Sequence, residues 1–231
     1  TQILYAKINS ERHEKFQIAT VIQKTENTVK VVKKALTREA IPFINRMGQC
    51  VNQKLSRPYS YLWGQASNGQ LEYPYLEGKT LFSLVVYCVQ KGEKRTLINL
   101  LKEFYRSYFD DARITDDFYT EEFQCTFGKN RGKDAYACVC PANVDLISDN
   151  IFYGKEKAYI IDYEWVFNFN VPVAFSMWRM INDLYSRISD LSDIISREEM
   201  ESIFGIDKSD HQVYLEWSKY FAYVYVGCDK I

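Results

Sequence analysis

The spacing of apolar residues changes once along this chain, and that change limits the fold more than any other feature. In the first third they alternate. ILYAKI is followed by FQIATVIQ, which sets Phe16, Ile18, Thr20 and Ile22 on one face, and a KTEN turn then leads into TVKVVKKAL. Period two of this kind predicts antiparallel strands. A helical segment, REAIPFINRMGQCVNQKL, follows with Thr37 as its N-cap, although Pro42 moves the expected start toward Ile41. Later segments repeat at helical spacing. RTLINLLKEFYRSYF aligns Leu97, Leu100, Leu101, Phe104 and Tyr108, and the stretch after Pro172 aligns Met177, Ile181, Leu184 and Ile188. SREE at 196–199 is a capping box, and HQVYLEWSKYFAYVYVG reads as a last aromatic helix. The chain is therefore expected to be α+β and bilobal. A sheet-rich lobe over residues 1–74 would meet a larger helical lobe over 75–231 at the segment GQLEYPYLEGKTL.

Composition narrows the function classes. With 231 residues, 47% hydrophobic and 26% charged, the chain can bury a sizeable core. Its net charge of -1 and scattered Lys and Arg give no basic stripe for nucleic acid. No apolar run is long enough for a transmembrane segment, and no signal peptide opens the chain, so a cytoplasmic setting with reduced, largely buried cysteines is expected. Cys138 and Cys140 in YACVC lack the spacing and partners of a zinc site, and period two would turn both thiols toward the core.

Against this background one region stands out. Asp145, Asn150, Asp162 and Glu164 are polar residues inside apolar segments, NVDLISDNIFY and YIIDYEW. NIFY, the turn GKEK and AYIID predict a β-hairpin folded about residue 156, which lays Asn150 roughly opposite Asp162. Asp145 lies in the loop feeding the open end. An amide oxygen beside a carboxylate suits Mg²⁺ completed by water and phosphate, and a second carboxylate nearby can accept a hydroxyl proton. The structural alternative is an Asx-turn that opens the hairpin.

The pattern Asp145-x4-Asn150 followed by Ile-Ile-Asp162-Tyr-Glu164 resembles the catalytic loop and metal-binding strand of protein-kinase-like phosphotransferases, nearest to the aminoglycoside and choline kinase branch. The resemblance implies a protein-kinase-like fold that uses ATP and Mg²⁺. It makes Asp145 the catalytic base, Asn150 and Asp162 metal ligands, and Glu164 an auxiliary acidic group at the metal. VKVVKKAL resembles the third strand, whose lysine clamps phosphates; Lys33 is favoured over Lys34, with Glu39 as the acid that would pair with it. LEYPYLEG resembles the hinge, where Glu72, Tyr73 and Tyr75 would meet adenine. Each has a plainer alternative: Lys33 a solvated edge lysine, Glu39 a helix-dipole partner, and Glu164 a buried acid holding Arg179. His is usual in the wider superfamily where this chain has Asn143, and no glycine precedes Gly48. Without a Gly-rich turn, Arg12, with Lys15 beside it in sequence, is expected to supply positive charge to the phosphates.

A narrower likeness is carried by INSERHEKFQIATVI, VVKKALTREA, EEFQCTFG and IIDYEWVFNFNVPVAFSMWR. Together these are similar to kinase-like domains of bacterial surface-polysaccharide assembly proteins, which are joined to glycosyltransferases or methyltransferases. That likeness implies a phosphotransferase acting on a sugar or glycan terminus. Two alternatives stay open: a kinase-like scaffold without turnover that docks or regulates an associated glycosyltransferase, and transfer of a nucleotidyl group.

Overall fold

The computed structural model describes residues 1–50, 59–154 and 157–228. Its N-terminal part is a five-stranded antiparallel sheet in the order β1-β2-β3-β6-β5. The strands are β1 (Gln2–Ile8), β2 (Ile18–Lys24), β3 (Val29–Ala35), β5 (Gln65–Ser67) and β6 (Gln70–Pro74). The strand register sets Ile18, Lys33 and Leu71 on one inner face, where all three are buried, while every residue of the edge strand β1 is exposed. Helix α1 (Ile41–Cys50) packs on that face through Phe43, Ile44 and Met47. It starts at Ile41 because Pro42 has no N–H to lose in a first turn, and Thr37 Oγ1 accepts the N–H of Ala40 just before it. The part of this helix expected beyond Cys50 lies outside the described residues.

A second sheet, β4-β12-β11-β7, combines β4 (Tyr59–Tyr61), β7 (Lys79–Thr80), β11 (Ile151–Tyr153) and β12 (Ala158–Ile160). Strand β4 pairs in parallel with β12, so the 1–74 segment also contributes a strand to the sheet beneath the site. Gly78, at φ +152, passes close to β11; a Cβ there would lie 2.8 Å from the Phe152 ring. Helices α2 (Leu81–Lys91) and α3 (Lys94–Tyr108) follow. Sequence periodicity did not single out α2, whose ends are nonetheless well marked: Thr80 accepts from Ser83 N–H, and Gly92 closes the helix in the left-handed conformation.

The remainder is helical with short strand pairs. β8 (Arg113–Thr115), β9 (Tyr136–Val139) and β14 (Val171–Pro172) form one sheet, and β10 (Ala142–Asn143) pairs with β13 (Val166–Phe167). Helices α4 (Glu121–Phe127), α5 (Val173–Arg187), α6 (Leu191–Ile194), α7 (Arg197–Ile203) and α8 (His211–Tyr220) enclose an aromatic core that includes Phe118, Phe123, Phe127, Phe175, Tyr214 and Trp217. The capping box is present, with Ser196 Oγ accepting from Glu199 N–H at 3.2 Å. After α8 the chain continues as one π-helical stretch, Phe221–Val226. The observed α+β order, an antiparallel sheet followed by a larger helical part, is the one expected from the sequence.

Two contacts lock the halves together. Phe16, beside β2, sits 5.1 Å from Phe43 and 4.9 Å from Trp165, and Phe43 lies 5.0 Å from Trp165. Each of these rings buries enough apolar surface to contribute about 2–3 kcal/mol. In addition, the His13 N–H donates to the Val226 carbonyl at 2.9 Å, and Gly227 (φ +80) passes where a Cβ would lie 2.6 Å from the His13 ring.

The cysteine expectation needs correction. Cys138 is buried, but β9 ends at Val139 and the period-two register ends with it, leaving Cys140 exposed; Cys125 is exposed as well. Among the described residues no cluster of three or more His, Cys, Asp or Glu side chains could hold a metal. No helix among them is long and apolar enough to cross a membrane.

Candidate active site

The site forms where β3 passes over the segment 162–164. Lys33 is only 3% exposed, whereas Lys34 is exposed. Its Nζ donates to Asp162 Oδ1 at 2.9 Å and to Glu164 Oε1. Burial alone would lower the lysine's pKa; Asp162 and Glu164 together hold it well above its ordinary value. The second oxygen of Glu164 accepts from Arg12 Nη1 at 2.8 Å, and the Arg12 guanidinium lies 5.5 Å from the centre of the Trp165 ring. Burial pushes the Glu164 carboxyl up, yet Lys33 and Arg12 overcome it and set the pKa at about 2. Among the described residues Asp162 has only Lys33 as a close cation, so burial prevails and its pKa rises to about 6, with Glu164 and Asp145 adding to the rise.

Backbone pairing then brings the 143–150 loop to the same place. Asn143 pairs with Val166 across β10 and β13, and the Val144 N–H donates to the Trp165 carbonyl at 3.0 Å. Asn143 is 2% exposed; its Nδ2 donates to the Asp162 carbonyl at 3.0 Å and its Oδ1 accepts from the Asp145 N–H at 3.0 Å. This side chain therefore ties the loop bearing Asp145 to the strand end bearing Asp162. Sequence reasoning noted position 143 as a departure that changes the support of this loop, without naming the bonds it makes. Its signal was the position itself, a polar residue two before Asp145.

Asn150 Nδ2 donates to the Asp145 carbonyl at 2.8 Å. The hairpin register is one residue from that expected: Ile151 faces Ile160, and the Ile161 N–H donates to the Asn150 carbonyl, so Asn150 stands opposite Ile161 rather than Asp162. The turn residues 155 and 156 lie outside the described residues. Asp145 is raised above the ordinary carboxylate range by burial, with Arg179 opposing. Arg179 does not hold Glu164. Its Nε donates to the Val144 carbonyl at 3.0 Å and its Nη1 to Ser218 at 2.9 Å.

Other expected positions fall differently. Glu39 is exposed in the turn before α1, because the helix begins only at Ile41, and the acids paired with Lys33 are Asp162 and Glu164. Arg12 is turned onto Glu164. The Glu72 side chain pairs with Lys30 at 2.6 Å on the sheet surface. Tyr73 is buried, its hydroxyl pushed up to about 12 by that burial with Lys33 opposing. Tyr75 is 46% exposed, and its backbone N–H donates to the Val29 carbonyl at 3.2 Å. Asp145, Asn150, Asp162, Glu164, Lys33 and Arg12 thus gather in one connected set of hydrogen bonds and ion pairs, while Glu39, Glu72 and Tyr75 lie outside it.

No protein-family model matches the chain, and no curated protein sequence matches it. Among solved structures, it is similar to a spectinomycin phosphotransferase in complex with ADP and spectinomycin. That likeness has 10% identity and a TM-score of 0.41, covering 96% of this chain and 82% of that one. It is also similar to the apoenzyme of a macrolide 2'-phosphotransferase from Brachybacterium faecium, at 8% identity and TM-score 0.36, covering 93% and 86%. At such identities and TM-scores, functional assignment rests on the side chains of this chain itself.

Proposed function

We propose that this chain is an ATP- and Mg²⁺-dependent phosphotransferase acting on a hydroxyl of a sugar or glycan terminus. The supporting observation is the buried Lys33, delivered by the N-terminal sheet to two carboxylates of the C-terminal part, with Asn150 and Asp145 hydrogen-bonded into the same network. Oxygen donors suit Mg²⁺, which takes one or two protein carboxylates and fills its shell with water and phosphate. Asp162 and the amide oxygen of Asn150 are the groups that would hold it. When bound, such an ion neutralises charge on the phosphates. Lys33 would clamp the nucleotide phosphates, and Asp145, whose raised pKa makes it a competent base, would orient the acceptor hydroxyl and take its proton. The finer assignment, to surface-polysaccharide assembly beside a glycosyltransferase or methyltransferase, follows the sequence likeness.

The test is ADP release with ATP, Mg²⁺ and a panel of sugars and glycans, together with the mass of the product. Asp145→Asn and Asp162→Asn should each lower turnover at least a hundredfold. A product heavier by a nucleotidyl group would overturn phosphoryl transfer. Two observations favour a second reading, a scaffold without turnover: Arg12 is committed to Glu164, and the β1–β2 turn has no glycine to bring backbone amides to a phosphate. Strong stabilisation by Mg²⁺ and ATP without ADP release on any acceptor would support it.

A further inference from the structure

A cavity of about 530 Å³ opens beside the catalytic loop, between β1, α5 and the last helical stretch. This volume suits a small organic ligand. Arg12 and Arg179 line it and connect it to the site: Arg12 holds Glu164, and Arg179 holds the Val144 carbonyl next to Asp145. Among the described residues its charged lining is Lys7, Arg12, Arg179 and Lys219 against Glu11. Glu164 offsets Arg12, and Asp145 lies near enough to act electrostatically on Arg179, but Lys7 and Lys219 are exposed and show no ion pair among the described residues. Trp178, only 6% exposed, also lines the cavity, together with the polar side chains of Asn182 and Ser218.

We propose that this cavity is the acceptor site and that it selects a hydroxylated, sugar-sized acceptor bearing an anionic group, phosphate or carboxylate. The proposal rests on the phosphotransferase assignment for its meaning as an acceptor site. Lys7 and Lys219 would attract the anionic group, while the polar side chains of Asn182 and Ser218 would meet ring oxygens or hydroxyls. Aromatic side chains in the lining, including Trp165 and Tyr223, provide the apolar surface that a sugar ring covers.

The test measures binding without nucleotide, by tryptophan fluorescence and titration calorimetry, with glucose 6-phosphate, glucuronic acid and glucose as probes. At least one anionic probe should bind tenfold or more tightly than glucose, and the double variant Lys7→Glu/Lys219→Glu should weaken that probe at least tenfold. Both residues are exposed, so the variant should fold, which circular dichroism would check. Equal binding of glucose, or an anionic probe unaffected by the double variant, would overturn the proposal. ADP release that is indifferent to both charge reversals would also overturn it while leaving the phosphotransferase assignment standing. Selective anionic binding with no ADP release would support the cavity and count against that assignment. Higher phosphate or carboxylate affinity would name the anionic group.

Discussion

Replacing Lys33 with Met tests the centre of the site, because Met nearly matches the lysine stem while removing its charge. The Lys33 side chain is 4% exposed and carries both Asp162 and Glu164. Removing one partner of a buried ion pair costs about 3–5 kcal/mol, because the remaining charge stays desolvated. Glu164 keeps Arg12 at 2.8 Å, so the cost falls mainly on Asp162. That carboxyl already has a pKa of about 6, and without its only close cation it climbs further. Between pH 6 and the new, higher value, the folded variant holds a proton that the folded wild type does not. The destabilisation should therefore shrink as pH falls from 8 to 6, by about 1.4 kcal/mol per pH unit across that window. Below pH 6 both proteins are protonated there, and the difference should level off. Urea unfolding of both proteins at pH 8, 7, 6 and 5 gives the comparison directly. A penalty below about 1 kcal/mol at pH 8, or one that is constant from pH 8 to 6, would show that Lys33 does not carry this charge balance.

In the wild type, Asp162, raised from 3.8 to about 6, opposes folding when ionised, and Glu164, lowered from 4.5 to about 2, supports it when ionised. Unfolding free energy should thus rise by about 1.5 kcal/mol as pH falls from 7 to about 4 and drop by about as much toward pH 2, the two windows partly cancelling where they overlap; a monotonic fall from pH 7 would contradict this. Asn143→Ala removes two buried hydrogen bonds and should cost about 1–3 kcal/mol in chemical denaturation while lowering turnover; unchanged stability would remove its tethering role. Arg12→Ala removes one of the two cations on the buried Glu164 and should cost about 1.5–3 kcal/mol in urea unfolding; unchanged stability would remove its anchoring role. Glu39→Ala should shift stability by no more than about 0.5 kcal/mol, as its exposed position requires; a larger loss would reinstate it as a partner of Lys33.

What the sequence revealed and what it concealed divide along physical lines. Lys33 was favoured over Lys34 because strand alternation turns neighbours to opposite faces, and the two residues differ in burial as that alternation requires. The capping box at 196–199 and the start of α1 at Ile41 were likewise local effects of named side chains. Partner choice across long separations was not local. Glu39 lies six positions from Lys33 and was the nearest acid in sequence; Asp162 and Glu164, at separations 129 and 131, are the ones that pair, because β3 and the 162–164 segment meet only in the tertiary fold. Arg12 was expected to face phosphates on charge alone, while packing of Phe16 and Phe43 on Trp165 carries its turn onto Glu164. The one-residue register difference in the hairpin depends on turn geometry, which composition of the GKEK stretch does not specify.

The charges of the site are balanced before any ligand enters: Lys33, Arg12 and Arg179 stand against Asp145, Asp162 and Glu164, three of each sign, all wholly or partly shielded from water. A nucleoside triphosphate is a polyanion. It can be accommodated here only with a cation of its own or by drawing Lys33 or Arg12 away from an acid that would then lie buried and unpaired. Of the two acids that lose a partner, Asp162 tolerates the loss better, since at a pKa of about 6 it can accept a proton or a cation, whereas Glu164 remains ionised with whichever base is left. Lys33 is therefore the cation freed at least cost when a positive charge reaches Asp162, while Glu164 retains Arg12 as its anchor. On the proposed assignment, metal dependence and nucleotide affinity would be one property of the site: charge placed on Asp162 would release the lysine to the phosphates.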